Sequence, residues 1–107
     1  MENLFSYGTL RDEKVQHALF GRSLEGAADT LLGYRLGPIT LVDRSSGESG
    51  EYRIIDPTGR EGDRVEGTVL RVTASELQRA DAYEDVAYKR IRVRLQSGVD
   101  AWVYVRA

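Results

Sequence analysis

A chain of 107 residues, 41% hydrophobic and 30% charged, has the composition of one globular domain and not of a pair of domains, a fibre or a disordered tail. Fifteen Lys and Arg against seventeen Asp and Glu leave a formal charge of −2, so no bulk attraction draws the chain to nucleic acid or to an anionic membrane. The sequence has no cysteine, which excludes a disulfide framework, a thiolate nucleophile and a Cys-ligated metal; its single histidine, His17, excludes a multi-His metal site and allows a Ser-His-Asp triad at that position alone.

The apolar runs fall well short of the ~20 residues needed to cross a bilayer. The start, Met1-Glu2-Asn3, lacks the basic and apolar stretches of a signal peptide, so a cytoplasmic chain is expected. Glycine punctuates the rest, eleven against two prolines. Asn3-Leu4-Phe5-Ser6-Tyr7 reads as a strand that stops at Gly8. A short helix follows: Thr9 and Asp12 stand in capping-box-like spacing, Val15, Ala18 and Leu19 recur at i, i+3, i+4, and Gly21 takes the C-terminal glycine position. From Leu24 to Leu36 periodicity fits strand or helix, and Gly26 and Gly33 favour strand pieces with a bend. Ile39–Val42 and Tyr52–Ile55 read as strands. Between them, residues 43–50 are small and polar, the best candidate for a mobile loop. Asp56-Pro57-Thr58-Gly59 is a turn signal.

Arg64–Val72 alternates and is interrupted by Gly67. Thr73 and Glu76 form a capping box for a second helix, with Leu77 and Ala80 on one face. Tyr88–Leu95 alternates strictly, with Ile91, Val93 and Leu95 on one side and Tyr88, Arg90, Arg92 and Arg94 on the other; Ser97-Gly98 turns the chain back into Ala101–Val105. The expected fold is α+β: a single small domain over 1–107, with a mostly antiparallel, β-barrel-like sheet and two short flanking helices.

Two segments could carry chemistry. At Tyr7-Gly8-Thr9-Leu10 a strand runs through glycine straight into a helix, which points backbone N–H groups and a helix dipole at one spot; the commoner reading is an ordinary turn. Asp81-Ala82-Tyr83-Glu84-Asp85 sits at a helix–strand junction, where a carboxylate can enter a cleft and have its pKa raised as a general base requires; the commoner reading is a solvated acidic loop. Six tyrosines against two phenylalanines suggest hydroxyls kept in a partly polar interior. The Arg90, Arg92, Arg94 stripe reads as a solvated face paired with acids, His17 as exposed and Trp102 as core. Gly47-Glu48-Ser49-Gly50 is too loose for a phosphate loop, and no nucleotide-binding glycine motif is present.

Four motifs in series resemble the γ-glutamyl cyclotransferase-like, or AIG2-like, family. They are Tyr7-Gly8-Thr9-Leu10 within Leu4–Arg11, Gly33-Tyr34-Arg35-Leu36, Val65-Glu66-Gly67-Thr68-Val69, and the run from Leu77 to Arg90 that carries Asp81, Tyr83, Glu84, Tyr88 and Arg90. The closing Ala101–Val105 strand also fits. The resemblance implies a compact β-barrel-like fold and a cleft between the Tyr-Gly-Thr-Leu loop and an acid. It implies Glu84 as the catalytic acid/base, and Tyr7, Gly8, Thr9, Leu10, Tyr88 and Arg90 as substrate-binding residues. The implied partner is a small γ-glutamyl molecule, converted to 5-oxoproline with release of an amine or amino acid, without metal or other cofactor. Two departures stand out: Ala80 replaces the usual leucine before the aspartate, and Asp85 the frequent glycine after the glutamate. The rival readings are a module that binds a small carboxylate without turnover and a protein-interaction domain on the same fold. The binding module is told from the enzyme by whether Glu84 is buried and faces the loop or is paired off by Arg90; the interaction domain would show an exposed apolar patch and a filled cleft.

Overall fold

Strand β1 (Glu2–Ser6) occupies the middle of the sheet, and its last three residues, Leu4, Phe5 and Ser6, are all buried. Consecutive buried residues on a strand require cover on both faces, because side chains alternate across the sheet. The computed structural model, which describes residues 1–43 and 45–107, supplies both covers. Leu4 joins Leu10, Phe20, Leu70, Val72, Leu77 and Ala80 in the core beneath the helices. Phe5 joins Leu31, Ile55, Val65, Val69 and Val103 in the core on the other face.

The sheet runs in the order β2 (Gly26–Leu32), β5 (Arg64–Val72), β1, β7 (Asp100–Arg106), β6 (Tyr88–Arg94). Every pairing is antiparallel except β1 with β7, which meet in parallel at Leu4 and Trp102. Strands β3 (Tyr34–Val42) and β4 (Ser49–Pro57) form a separate hairpin that sets Ile55 in the second core, with Tyr34 and Leu36 packed against it. The domain is thus α+β and mostly antiparallel, and barrel-like only loosely. Its sheet keeps two edges, β2 and β6, that no ladder joins. The turn after β6 bridges them at one end: the Gln96 N–H donates to the Thr30 carbonyl at 2.8 Å, and the Ser97 hydroxyl and amide both donate to the Asp29 carboxylate. No helix among the described residues is long and apolar enough to cross a membrane.

Helix α1 (Glu13–Phe20) begins later than the Thr9 cap implies. Thr9–Arg11 form a separate 3-10 turn, and the Asp12 carboxylate accepts the Lys14 N–H at 2.8 Å as the real N-cap. The buried face is also rotated. Ala18 is exposed, while Phe20 and Gln16 are buried. The Gln16 side-chain amide donates to the Leu10 carbonyl at 2.8 Å and accepts the Leu24 N–H at 2.9 Å, bracing the chain on both sides of the helix. Gly21 closes α1 as expected. Both halves of the Thr73–Glu76 capping box form at the start of helix α2 (Ala74–Tyr83). The same Glu76 carboxylate is buried and takes a two-pronged bond from Arg22, at 2.8 and 2.7 Å, which ties α2 to the end of α1. Trp102 fills the core only in part: it is half-buried and packed against the helix-side cluster, donates its ring N–H to Glu2 at 2.9 Å, and lies under the guanidinium groups of Arg90 and Arg92.

Two glycines are fixed by geometry. Gly33, at φ +82°, turns the chain from β2 into β3 in a conformation that side chains rarely adopt. Gly67 does not interrupt β5, which runs straight through it. A Cβ there would sit 2.6 Å from both the Phe5 ring and the Ser6 carbonyl oxygen. Since the carbonyl belongs to the central strand, Gly67→Ala must shift backbone and should cost about 1–3 kcal/mol in chemical denaturation. Gly37→Ala, whose Cβ meets nothing within 4 Å, is the control and should stay within about 0.5 kcal/mol. Equal stabilities of the two variants would disprove the packing account.

Candidate active site

The end of β1 and the end of α2 meet at one cleft of about 990 Å³. Tyr7, Gly8, Thr9 and Leu10 form one wall; Tyr83, Glu84, Asp85 and Tyr88 another; the tip of the β3–β4 hairpin a third. Arg44, in the segment read as a mobile loop, lies outside the described residues. Its described neighbours Asp43 and Glu48 border the cleft. The Thr9 and Tyr83 hydroxyls share a hydrogen bond at 3.0 Å and join the first two walls. Tyr88 donates its hydroxyl to the Arg53 carbonyl at 2.7 Å, and Arg106 holds Asp56 with two bonds at 2.7 and 3.0 Å; these contacts fix the hairpin against β6 and β7.

The loop has spare donors. Thr9 and Leu10 N–H groups have no acceptor among the described residues, and the Gly8 N–H has only a 3.3 Å bond to the Ser6 hydroxyl. Arg11 folds back and donates to the Tyr7 carbonyl at 2.9 Å and the Gly8 carbonyl at 3.3 Å, turning the loop's carbonyls to itself. A Cβ on Gly8 would touch nothing within 4 Å. Only a 3-10 turn follows directly, with α1 starting at Glu13, so the loop's polarity comes from individual amides and not from a helix dipole.

Glu84 ends α2. Its N–H bonds the Ala80 carbonyl at 3.0 Å while its own backbone is already extended. Asp85 then makes a tight turn: its carboxylate accepts the Ala87 N–H at 2.9 Å and its carbonyl the Tyr88 N–H at 3.0 Å. The Glu84 carboxylate has no hydrogen-bond donor among the described residues. Burial, and then the charge of Asp85, push its pKa up to about 7. Three tyrosines surround it electrostatically, and each sends its proton elsewhere. Tyr7 donates to the Tyr104 carbonyl at 2.6 Å, Tyr88 to Arg53, and Tyr104 to the Asp81 carboxylate at 2.7 Å. Burial is the main cause that raises all three above the ordinary tyrosine value, Tyr88 to about 12; the Glu84 charge adds to each.

Of the residues singled out from sequence, the structure brings Glu84, Tyr7, Gly8, Thr9, Leu10 and Tyr88 into this cleft. Arg90 is elsewhere. It is bound to Asp81 by two bonds of 2.7 and 2.9 Å, lies 4.3 Å from the centre of the Trp102 ring, and lines a smaller cleft of about 300 Å³ behind Glu84. Of the rest of the stripe, Arg94 is paired with Asp100 as expected, whereas Arg92 lies over the Trp102 ring and has no acid partner among the described residues. His17 is exposed and bonded to Ser23. Tyr104, which no sequence motif marks as a site residue, lines both clefts. In sequence it sits in an apolar alternating strand, and only the excess of tyrosine over phenylalanine hinted at it.

The fold has relatives of known structure. A γ-glutamyl cyclotransferase of known structure superposes with a TM-score of 0.78 at 22% identity, covering 99% of this chain and 66% of that one. Two Arabidopsis thaliana proteins solved in solution superpose with TM-scores of 0.77 and 0.73. Their identities are 22% and 28%, each covers 98% of this chain, and they are covered over 61% and 68% of their own lengths. The chain therefore spans about two thirds of these relatives. No curated protein matches its sequence. A family model described as gamma-glutamyl cyclotransferase, AIG2-like, matches residues 4–107, a span that holds both the Tyr7–Leu10 loop and Glu84, and the chain belongs to that family.

Proposed function

We propose that the cleft cyclises γ-glutamyl amines or γ-glutamyl amino compounds to 5-oxoproline and releases the amine, with Glu84 carrying the proton. The observation that supports this best is a half-buried carboxylate with no donor, set in the same cleft as unpaired loop amides. A structural carboxylate would be paired, and Arg90, the nearby candidate for that role, is held by Asp81 instead.

The chemistry asks little of the protein. A γ-glutamyl group carries its own nucleophile, the α-amine, which closes a five-membered ring on the γ-carbonyl carbon. Holding the substrate folded makes the attack intramolecular, a gain of up to ~7–11 kcal/mol in favourable cases. As the new C–N bond forms, the α-amine loses a proton to the Glu84 carboxylate; as the old C–N bond breaks, Glu84 returns that proton to the departing nitrogen. A pKa of about 7 suits both steps, since the group can accept and surrender the proton near neutrality. The Thr9 and Leu10 amides receive the substrate's α-carboxylate or the developing oxyanion. The space beside Gly8 lets a ligand approach the backbone there.

The leaving group would lie toward the hairpin. Val42 and Tyr52 on that side, 57% and 44% exposed, face the same cleft as Tyr83 and Val86, 44% and 77% exposed. Large apolar groups left this open favour a departing amine with an apolar body. The test is a panel of γ-glutamyl alkylamines, γ-glutamyl arylalkylamines, γ-glutamyl amino acids and glutathione, followed for 5-oxoproline by mass spectrometry. No product from any of them, with product-site binding of 5-oxoproline retained, would replace the enzyme reading with a binding module.

Two outcomes follow for Glu84→Gln. Turnover should fall about 10²–10⁴-fold, because the shape is kept and the titratable site is lost, whereas Asp85→Asn should be much milder. Steady-state kcat for the two variants separates proton transfer from a general loss of charge, and similar losses would discard the assignment. Stability should move the other way. The Glu84 pKa is raised on folding, so the folded state binds its proton more tightly than the unfolded chain, and stability is lost as pH rises from the ordinary carboxylate range through about 7. Thermal melting should find Glu84→Gln more stable than the parent at pH 8 by a larger margin than at pH 4. A margin that does not change with pH would contradict the burial of an unpaired charge.

A further inference from the structure

Asp81 and Glu84 lie three residues apart at the end of α2, the spacing that makes helix side chains neighbours. Asp81 is fully engaged. Its two oxygens take the Arg90 guanidinium as a fork, at 2.7 and 2.9 Å, and one of them also accepts the Tyr104 hydroxyl at 2.7 Å. Arg90 is steadied from its other side by the Trp102 ring. Glu84, three residues on, has none of these partners, although Arg90 and Tyr104 line the same 300 Å³ cleft with it. Arg90 lines that cleft together with both carboxylates, and with Asp81 gone the carboxylates left in it are Glu84 and Asp85; Glu2 of β1, bonded to the Trp102 ring N–H, is the other acid whose charge acts on Arg90.

We propose that Asp81 is a positioning residue that holds the Arg90 guanidinium and the Tyr104 hydroxyl away from Glu84, so that the Glu84 carboxylate stays free to exchange a proton. The proposal rests on Glu84 as the proton carrier but concerns a residue that does not touch the substrate. The other groups around Glu84 leave room for this role. Tyr7, just after β1, and Tyr88 of β6 give their protons to backbone carbonyls. Asp85, in the turn, repels charge on Glu84. In the larger cleft, Arg11 is tied to the loop's own carbonyls and Arg53 is carried on the hairpin. Arg90 is the cation in the cleft behind Glu84, and the Asp81 fork decides where it points.

The experiment is a pH titration of the Glu84 side-chain carboxyl by carbon-13 NMR on the whole chain, with the resonance assigned by its loss in Glu84→Gln. The parent should titrate near 7. In Asp81→Ala the midpoint should fall by about 1–3 pH units, the range set by a new opposite charge. The Arg90 Nε–H resonance, indifferent to Glu84 in the parent, should then follow that midpoint. Adding Arg90→Met should restore most of the fall. Asp81→Asn, which keeps an acceptor for Tyr104 but not the two-oxygen fork, should show the same fall in smaller measure. Because Asp81 is partly exposed, these variants should fold, and Asp81→Asn covers the case in which Asp81→Ala does not. An unchanged or higher midpoint, or an Arg90 resonance blind to Glu84, would overturn the proposal. Turnover is measured separately. A chain that cyclises none of the panel would sink the enzyme reading, while the titration would still decide what Asp81 does.

Discussion

Everything in the site is referred to β1, because this strand is covered on both faces and cannot move without opening both cores. Leu4 and Phe5 point into different cores, so the strand's rotation about its own axis is fixed by burial on two sides. Gly67 lets the Phe5 ring and the Ser6 carbonyl lie against β5 at a distance that no side chain would allow. On the other flank, β7 runs parallel to β1 and offers the Tyr104 carbonyl to the Tyr7 hydroxyl. The loop that follows Tyr7 therefore starts from a fixed point, and its free amides inherit that position.

Helix α2 carries the contrast that identifies the site. Glu76 and Glu84 stand near its two ends, and both are removed from water to some degree. Glu76 recovers its lost hydration from Arg22 and from the Thr73 amide, and its pKa falls to about 2. Glu84 has no such donor, and its pKa rises to about 7. The same side chain is thus a tied, ionised group at one end and an unpaired one that holds its proton more tightly at the other, and the difference lies in the partners the fold supplies. Three tyrosines around Glu84 could have supplied them. Each hydroxyl is instead committed to another acceptor, and two of those acceptors are backbone carbonyls whose positions the sheet and hairpin fix.

Local signals in the sequence specify the elements where local forces decide. The Thr73–Glu76 box, the closing Gly21 and the alternation from Tyr88 all correspond to observed elements. What could not be read was settled by partners far along the chain. Gln16 is buried because the Leu10 carbonyl and Leu24 amide need it, and nothing in the helix periodicity marks that need. Trp102 is kept half-buried by Glu2 and two arginines, against the usual expectation for a lone tryptophan. The capture of Arg90 by Asp81 was equally hidden. The two residues are nine apart on different elements, and a motif carries which residues occur but not which acid an arginine selects.

The walls of the cleft differ in how firmly they are tied to the rest. The loop and Glu84 belong to the central sheet and to α2, whose packing fills one core. The hairpin β3–β4 shares no ladder with that sheet; Ile55 and its neighbours, the Tyr88–Arg53 bond and the Arg106–Asp56 pair hold it in place. Its tip, with Val42 and Tyr52, points exposed apolar groups at the cleft and contributes nothing to either core. Substitutions at the tip can therefore reshape that wall at little cost in stability, whereas substitutions on the Glu84 side disturb bonds that hold α2, β6 and β7 together. A fold built this way can keep the Glu84 carboxylate and the loop amides fixed while the hairpin wall of the cleft varies.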